Sequence, residues 1–165
     1  MHHNENMKSK VGEIRNRVVG IATDRNVAKI TIRSVVDRPG IAASIFQPLS
    51  ESGISVDVIV QNASVAGLTD LTFTVKTGDV NRSLEVVESL SSELGSSLID
   101  KAEGLAKVSI VGTGMQDSPG YAAKMFSALS EENINIDMIT TSEIRITCII
   151  KQDSISEAAQ ALHRA

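Results

Sequence analysis

The chain has 165 residues, of which 42% are hydrophobic and 2% aromatic, and its formal net charge is −4. That length suits one ordinary domain or two small ones, and a weakly acidic chain with few stacking rings is not expected to bind nucleic acid or an anionic membrane. The single cysteine cannot form an internal disulfide or a cysteine-based zinc site, which indicates a reducing, cytoplasmic environment. No apolar run approaches the roughly 20 residues that a membrane span requires.

The first predicted elements are a polar leader, two strands and a turn. Residues 1–14 are expected to form a disordered leader, and 17–23 is strand-like. Residues 29–35 alternate between apolar and polar side chains, which predicts a half-buried strand. The turn Asp37-Arg38-Pro39-Gly40 then opens a helix, and its aspartate is a candidate N-cap.

The helix after this turn carries Ile41, Ile45 and Leu49 at a spacing of four, which predicts one apolar face. Pro48 lacks a backbone donor, so we expect the helix to kink or to end early there. Four further predicted elements complete this half of the chain: strands at 54–60 and 69–75, a second helix from Asp79 to Gly95, and a short strand at 97–100.

An internal repeat begins 80 residues further along, where Asp117-Ser118-Pro119-Gly120 matches the turn that starts at Asp37. The pattern Ile54-x-Val56-Asp57 likewise recurs as Ile134-x-Ile136-Asp137. The second copy has predicted strands at 107–112, 134–141 and 143–150 and predicted helices at 119–132 and 154–164. It lacks a final strand, and we expect the N-terminal strand at 17–23 to complete its sheet, because a bare sheet edge would otherwise be exposed.

These elements predict an α+β fold of two tandem ferredoxin-like βαββαβ modules. The predicted boundaries are 24–103 for the first domain and 15–23 together with 104–165 for the second. Each module has a small core, so association with a neighbouring module or another chain is expected.

Catalysis has little support in the sequence. The histidines lie near the termini, at His2, His3 and His163, and Cys148 lies in an apolar run with no histidine nearby in sequence, so it is interpreted as a buried structural thiol. Gly112-Thr113-Gly114 resembles the start of a dinucleotide-binding loop, but the third glycine is replaced by an aspartate. We expect no catalytic residues, metal or cofactor; the competing hypothesis is a small enzyme with an unrecognised site.

The repeated turn is a candidate binding site for a free amino acid. A helix N-terminus offers unpaired N–H groups to a carboxylate, a glycine lets a ligand approach the backbone closely, and a neighbouring aspartate can pair with an ammonium group. The structural alternative is that Asp37 and Asp117 only cap their helices. Ser142-Glu143 has its own simple alternative, a turn between adjacent strands.

The two copies of strand, turn and helix resemble paired ACT domains, and two segments are similar to the regulatory half of aspartate kinase. These are 55–62, which ends in Gln61-Asn62, and 135–146, which contains Thr141-Ser142-Glu143. The resemblance begins at about Val18 and extends to the end of the chain. Nothing in the chain matches the nucleotide motif of the kinase domain, so the resemblance implies a regulatory part without catalysis of its own.

The resemblance implies feedback regulation by end-product amino acids, threonine and/or lysine, bound between ACT modules. The implied partners are a catalytic domain or subunit of aspartate kinase and a second copy of the chain in a homodimer. A threonine-like site would use Asp37, Gly40, Ala42, Gln61, Ser64, Thr72, Asn135 and Ile136. A lysine-like site would use Asp57, Asn62, Ser118, Gly120, Asp137, Ser142 and Glu143. The alternative function is a stand-alone ACT-type sensor that regulates another biosynthetic enzyme.

Overall fold

The structure is a computed structural model that describes residues 18–96, 98–112 and 120–165. The strands are β1 (Val18–Val36), β2 (Ile59–Gln61), β3 (Leu68–Val75), β4 (Ile99–Gly112), β5 (Met138–Thr141) and β6 (Arg145–Lys151). The helices are α1 (Ile41–Glu51), α2 (Val80–Ser89), α3 (Ser91–Leu94), α4 (Gly120–Glu131) and α5 (Ile155–Arg164). Short 3₁₀ turns, Thr77–Asp79 and Gln152–Ser154, precede α2 and α5. The expected leader at 1–14 lies outside the described residues.

The six strands follow the order β2-β3-β1-β4-β6-β5. The chain divides into two compact units: a first module, Asn26–Leu105, and a second module, whose described residues are 18–25, 106–112 and 120–165. The start of β1 belongs to the second module, where Ile21 packs against the core. The predicted α+β fold with a second module completed by the N-terminal strand is therefore confirmed.

The first module buries one face of its sheet against its helices. Ile30 and Ile32 of β1 and Phe73 of β3 have no exposed surface, and they pack with Ile45 and Leu49 of α1. Burying an aliphatic side chain of this size contributes about 1.5–3 kcal/mol. These apolar contacts explain why α1 runs through Pro48 to Glu51, so the expected early end at the proline is wrong.

The second module repeats this arrangement. Val108 of β4 and Cys148 of β6 face Leu129 of α4 and Ala158 of α5, and all four are fully buried. The repeat extends to single hydrogen bonds after the first helix: Ile54 N–H donates to Leu49 O at 3.0 Å, and Ile134 N–H donates to Leu129 O at 3.0 Å. The periodic sequence thus builds two copies of one local structure.

In two places, a pair of strands that were predicted separately forms one continuous strand. Residues 18–23 and 29–35 belong to the continuous strand β1, and residues 99–100 and 107–112 of two further predicted strands join in β4. Each merged strand contributes residues to both modules. Pairing with neighbouring strands keeps the segments between them extended, although their local sequence contains no strand periodicity.

Other predicted elements are longer than the observed ones. The strands expected at 54–60 and 134–141 are regular only from Ile59 and Met138. In the first module Val58 N–H bonds to the Thr74 hydroxyl at 3.0 Å, so a side chain takes the place of a ladder carbonyl. The helix predicted from Asp79 to Gly95 is interrupted at Leu90 and ends, as expected, at Gly95, which has a φ of 69°. No helix within the described ranges is long and apolar enough to cross a membrane.

Candidate functional site

The turn after β1 carries Asp37 and Gly40, both exposed to solvent. Asp37 N–H donates to Gly67 O at 2.9 Å, which links this turn to the hairpin between β2 and β3. The N-cap of α1 is Gly40, with a φ of 86° and no side-chain capping bond. The structural alternative, in which Asp37 caps the helix, is therefore wrong. The left-handed backbone at the cap favours glycine, because the Cβ atom of any other residue would lie too close to the following carbonyl oxygen.

The end of β2 carries the amide residues of the Gln-Asn segment. Gln61 lies opposite Leu71 of β3 and is exposed. Asn62 N–H closes the hairpin by donating to Asp70 O at 3.0 Å, and Ser64 is exposed within the hairpin. The hairpin therefore presents polar side chains next to the Asp37 turn.

Three further candidate residues of the first module lie in α1, in β3 and just before β2. Ala42 is half-buried in the first turn of α1. Thr72 lies inside β3, where its hydroxyl is 3.1 Å from the Thr31 hydroxyl. Asp57 is exposed just before β2, and its N–H donates to Thr74 O at 3.2 Å. The turn and the hairpin are joined directly by the bond from Asp37 N–H to Gly67 O.

The second module places its candidates at matching points of the repeat. Asp137 N–H donates to Ile149 O at 2.8 Å, and Ser142 N–H donates to Arg145 O at 2.8 Å. Ser142 therefore occupies the position that Asn62 occupies in the first module. Glu143 follows in the tight turn and is exposed, as is Gly120 at the start of α4. Ser118 and Asp117 lie outside the described residues.

Asn135 and Ile136 line a cleft of about 380 Å³ in the second module. Asn135 is exposed and Ile136 is half-buried. The other lining residues come from α4 and the turn that follows it: Phe126, Ser130, Asn133 and Ile134. This volume lies within the ordinary range of small-molecule pockets.

A second cleft, of about 290 Å³, lies in the first module beside the hairpin. It contains one predicted site residue, Asn62. Its other lining residues were not predicted from the sequence; they are Ser34, Ala63, Val65, Leu68, Thr69 and Asp70. No local motif marks them, because Ser34 and Asp70 come together only through strand pairing.

A third cleft, of about 330 Å³, contains none of the predicted site residues. It lies in the second module and is lined by Gly20, Ile21, Ile110, Tyr121, Lys124, Met125, Leu162, His163 and Ala165. Two of its lining residues, Ile21 and Tyr121, also pack against the core of the second module.

Two findings concern the ionisable groups in the part of the chain that the structure describes. No group of three or more histidine, cysteine, aspartate or glutamate side chains is placed to hold a metal ion there. Burial raises the pKa of the Cys148 thiol from 9.0 to about 11, which suppresses the reactive thiolate at neutral pH. The candidate site residues that the structure describes offer amide, hydroxyl, carboxylate and backbone groups for binding.

Known proteins match this chain in both sequence and structure. ACT domains match residues 30–95 and 108–165. An aspartate kinase of Stutzerimonas stutzeri (strain A1501) is 45% identical over 148 residues, which cover 90% of this chain and 36% of that protein. The chain thus spans little more than a third of the length of this relative.

Two solved structures agree with the chain almost end to end. The regulatory subunit of aspartate kinase from Thermus thermophilus, in a ligand-free form, is 40% identical with a TM-score of 0.83, covering 90% of this chain and 97% of that one. A structure of aspartokinase alpha and beta subunits is 42% identical with a TM-score of 0.82 and the same coverage. The chain therefore belongs to the ACT-domain family and corresponds to the regulatory region of aspartate kinases.

Proposed function

We propose that this chain binds end-product amino acids, threonine and/or lysine, and thereby feedback-inhibits the phosphorylation of L-aspartate by an aspartate kinase catalytic domain or subunit. The observation that carries the proposal is the repeated geometry of the two modules. In each module a polar residue, Asn62 or Ser142, directly follows the edge strand, and its N–H closes the hairpin. In the first module the neighbouring turn also carries Asp37 and the N-terminus of α1, whose N-cap is Gly40.

The threonine-like site provides complementary groups for a free amino acid. The Asp37 carboxylate is a partner for the α-ammonium group. The N-terminus of α1, an eleven-residue helix that begins after Gly40, suits the α-carboxylate because its first N–H groups lack intrahelical partners. The full proposed set is Asp37, Gly40, Ala42, Gln61, Ser64, Thr72, Asn135 and Ile136.

The lysine-like site uses the matching positions of the repeat. Its carboxylates suit a ligand with two ammonium groups, because each can pair with a cationic group. The proposed set is Asp57, Asn62, Ser118, Gly120, Asp137, Ser142 and Glu143. Of these, Asp57 and Asp137 are repeat equivalents, and Glu143 is exposed at the tip of the tight turn.

We infer that the regulatory unit is a cytoplasmic homodimer built through its ACT modules. The strands β2 and β5 lie at the two ends of the strand order. Each exposes an equivalent apolar side chain, Ile59 at 49% and Ile139 at 46%. Apolar edge strands favour pairing with another chain because their backbone groups and side chains are both available.

The first test is calorimetric titration of the full chain with threonine and with lysine. Asp37→Ala is expected to weaken threonine binding by about 10- to 150-fold, because a charge-assisted partner is lost. Glu85→Ala, which removes an exposed carboxylate from α2 of the same module, is the control and should leave affinity unchanged. Equal threonine affinity in Asp37→Ala and the wild type contradicts this site; binding of neither amino acid by the wild type contradicts the proposed function.

A further inference from the structure

The two hairpins that carry the repeat-equivalent residues Asn62 and Ser142 differ in length. The closing backbone bond joins Asn62 to Asp70 in the first module and Ser142 to Arg145 in the second. The first hairpin is therefore five residues longer than the second. A longer connection loses more entropy on ordering, so additional contacts are needed to hold it.

Asp70 supplies one of these contacts by bonding to a bulge in β1. The pairing of β1 with β3 shifts between Ile32, opposite Leu71, and Val35, opposite Thr69. Within this bulge Ser34 has a left-handed φ of 57°, which is unfavourable for a residue with a Cβ atom. The Asp70 carboxylate accepts a 2.8 Å hydrogen bond from Ser34 N–H, so it satisfies the donor that the bulge removes from the strand ladder.

The same residue also contacts the hairpin and a neighbouring cation. Its carbonyl accepts the bond from Asn62 N–H, and its other carboxylate oxygen is 3.9 Å from the Arg33 guanidinium. The side chain of Asp70 is 34% exposed. Arg33 also forms an ion pair with Asp100, so Arg33 is shared between two carboxylates and its contact with Asp70 is the longer one.

Thr69 reinforces the attachment on the hairpin side. Its hydroxyl donates to Asn62 O at 2.6 Å, and the residue is 3% exposed. Both backbone groups of Asn62 are therefore bonded to consecutive residues of β3. Beyond the bulge, β1 continues for two residues to Asp37, whose N–H bonds to Gly67 of the hairpin. Asp70 thus lies between the turn that bears Asp37 and the strand end that bears Asn62.

We propose that Asp70 is a positioning residue, which sets the placement of the Asp37 turn relative to Gln61 and Asn62 and so controls effector affinity without contacting the effector. This inference rests on the proposed function. The equivalent residue in the second module is Arg145, whose side chain cannot accept a hydrogen bond. This contact therefore belongs to the first module alone. Of the residues it positions, Asp37 and Gln61 are in the proposed threonine-like site, so threonine affinity is the readout.

The first arm of the test uses the full chain without any amino acid. Amide hydrogen exchange is measured by NMR for Ser34, Asp37 and Asn62 in the wild type, Asp70→Ala and Asp70→Asn. Asp70→Ala should accelerate exchange at the Ser34 amide by about tenfold or more, since its side-chain acceptor is lost. Exchange at Asp37 and Asn62, whose backbone acceptors remain, should also rise, because the turn and the hairpin then open more often. Asp70→Asn keeps a side-chain oxygen acceptor and should restore slow exchange. The amides of Gly112 and Ser142 in the second module are internal controls and should not change.

The second arm measures threonine affinity in the same three proteins, well below their melting temperatures. Asp70→Ala should weaken binding by about tenfold, whereas Asp70→Asn should stay within about twofold of the wild type. Arg145→Ala is the matched control at the equivalent position and should leave threonine affinity unchanged. A purely structural role would lower the melting temperature of Asp70→Ala without changing affinity in the folded state.

The possible results separate the two proposals. Unchanged exchange or unchanged threonine affinity in Asp70→Ala overturns the positioning role, even if the wild type binds threonine normally. Equal losses in Asp70→Ala and Asp70→Asn also overturn it, because charge rather than the hydrogen bond would then be responsible. If the wild type binds no free amino acid, the proposed function fails, and the effector role of Asp70 fails with it.

Discussion

At the scale of single residues, Gly95 and Gly104 have the same left-handed φ of 69° but different surroundings. A Cβ atom at Gly95 would lie 2.8 Å from Val36 Cγ2, whereas a Cβ at Gly104 would meet nothing within 4 Å. The two positions therefore favour glycine for different reasons. At one position both backbone conformation and close packing require it, and at the other only the conformation does.

We expect Gly95→Ala to lower the free energy of unfolding more than Gly104→Ala does. The left-handed conformation costs each variant about 1–2 kcal/mol. The overlap with Val36 adds a further cost in Gly95→Ala alone, because this exposed side chain must shift away from the new Cβ atom. Urea denaturation of both variants measures the difference. Equal losses would show that Val36 moves away without cost.

Cys148 gives a residue-scale prediction about pH. Burial raises the pKa of its thiol from 9.0 to about 11, so the folded state holds the proton more tightly than the unfolded state. Its contribution to stability is complete below about pH 9 and is lost as the pH rises towards 11. The stability difference between wild type and Cys148→Ala, measured by urea denaturation, should therefore shrink from pH 8.5 to pH 11. A constant difference would contradict a buried neutral thiol.

At the scale of elements, the apolar stripes were readable from the sequence and the strand ends were not. The spacing of Ile41, Ile45 and Leu49 predicted the buried face of α1, and all three are buried. The regular part of β2 was not predicted correctly, because the Thr74 hydroxyl replaces a ladder acceptor. Residue periodicity reports which side is buried, whereas hydrogen-bond partners depend on residues far away in sequence.

The edge strands supply the element-scale prediction. If ACT modules pair through β2, Ile59→Lys should weaken the homodimer, because a charge placed on an edge strand disfavours pairing. Sedimentation at micromolar concentration should show about twice the chain mass for the wild type and a larger monomer fraction for the variant.

Leu98→Lys is the control for that experiment. It replaces an apolar side chain of similar exposure, 60%, outside the edge strand. Equal weakening by both substitutions would indicate a general effect of added charge, and a monomeric wild type would contradict the proposed dimer.

At the scale of the whole molecule, the proposed regulation requires a shift between two states. An effector changes an equilibrium only by its difference in affinity for those states, and a coupling of about 1–3 kcal/mol is typical. If threonine and lysine favour the same state, each should tighten the binding of the other by the same factor. Calorimetric titration of each amino acid, with and without the other, tests this.

Independent binding of the two amino acids would contradict coupling within this chain. The chain alone is also expected to show no ATP-dependent phosphorylation of aspartate, because its sequence contains no phosphate-binding glycine loop. A coupled assay with the purified chain, using a complete aspartate kinase as the positive control, measures this. Activity of the chain alone would overturn the regulatory proposal.

The sequence by itself determined that the chain contains two similar α+β modules, because an 80-residue repeat and apolar periodicity are written directly into the residue order. It also identified the residues that resemble the aspartate kinase regulatory half. Only the tertiary structure showed that β1 and β4 are each continuous, that Gly40 rather than Asp37 caps α1, and that Asp70 meets Ser34 across a bulge. Local patterns encode burial and helix period, whereas strand continuity, cap identity and bulge contacts depend on pairing between distant residues.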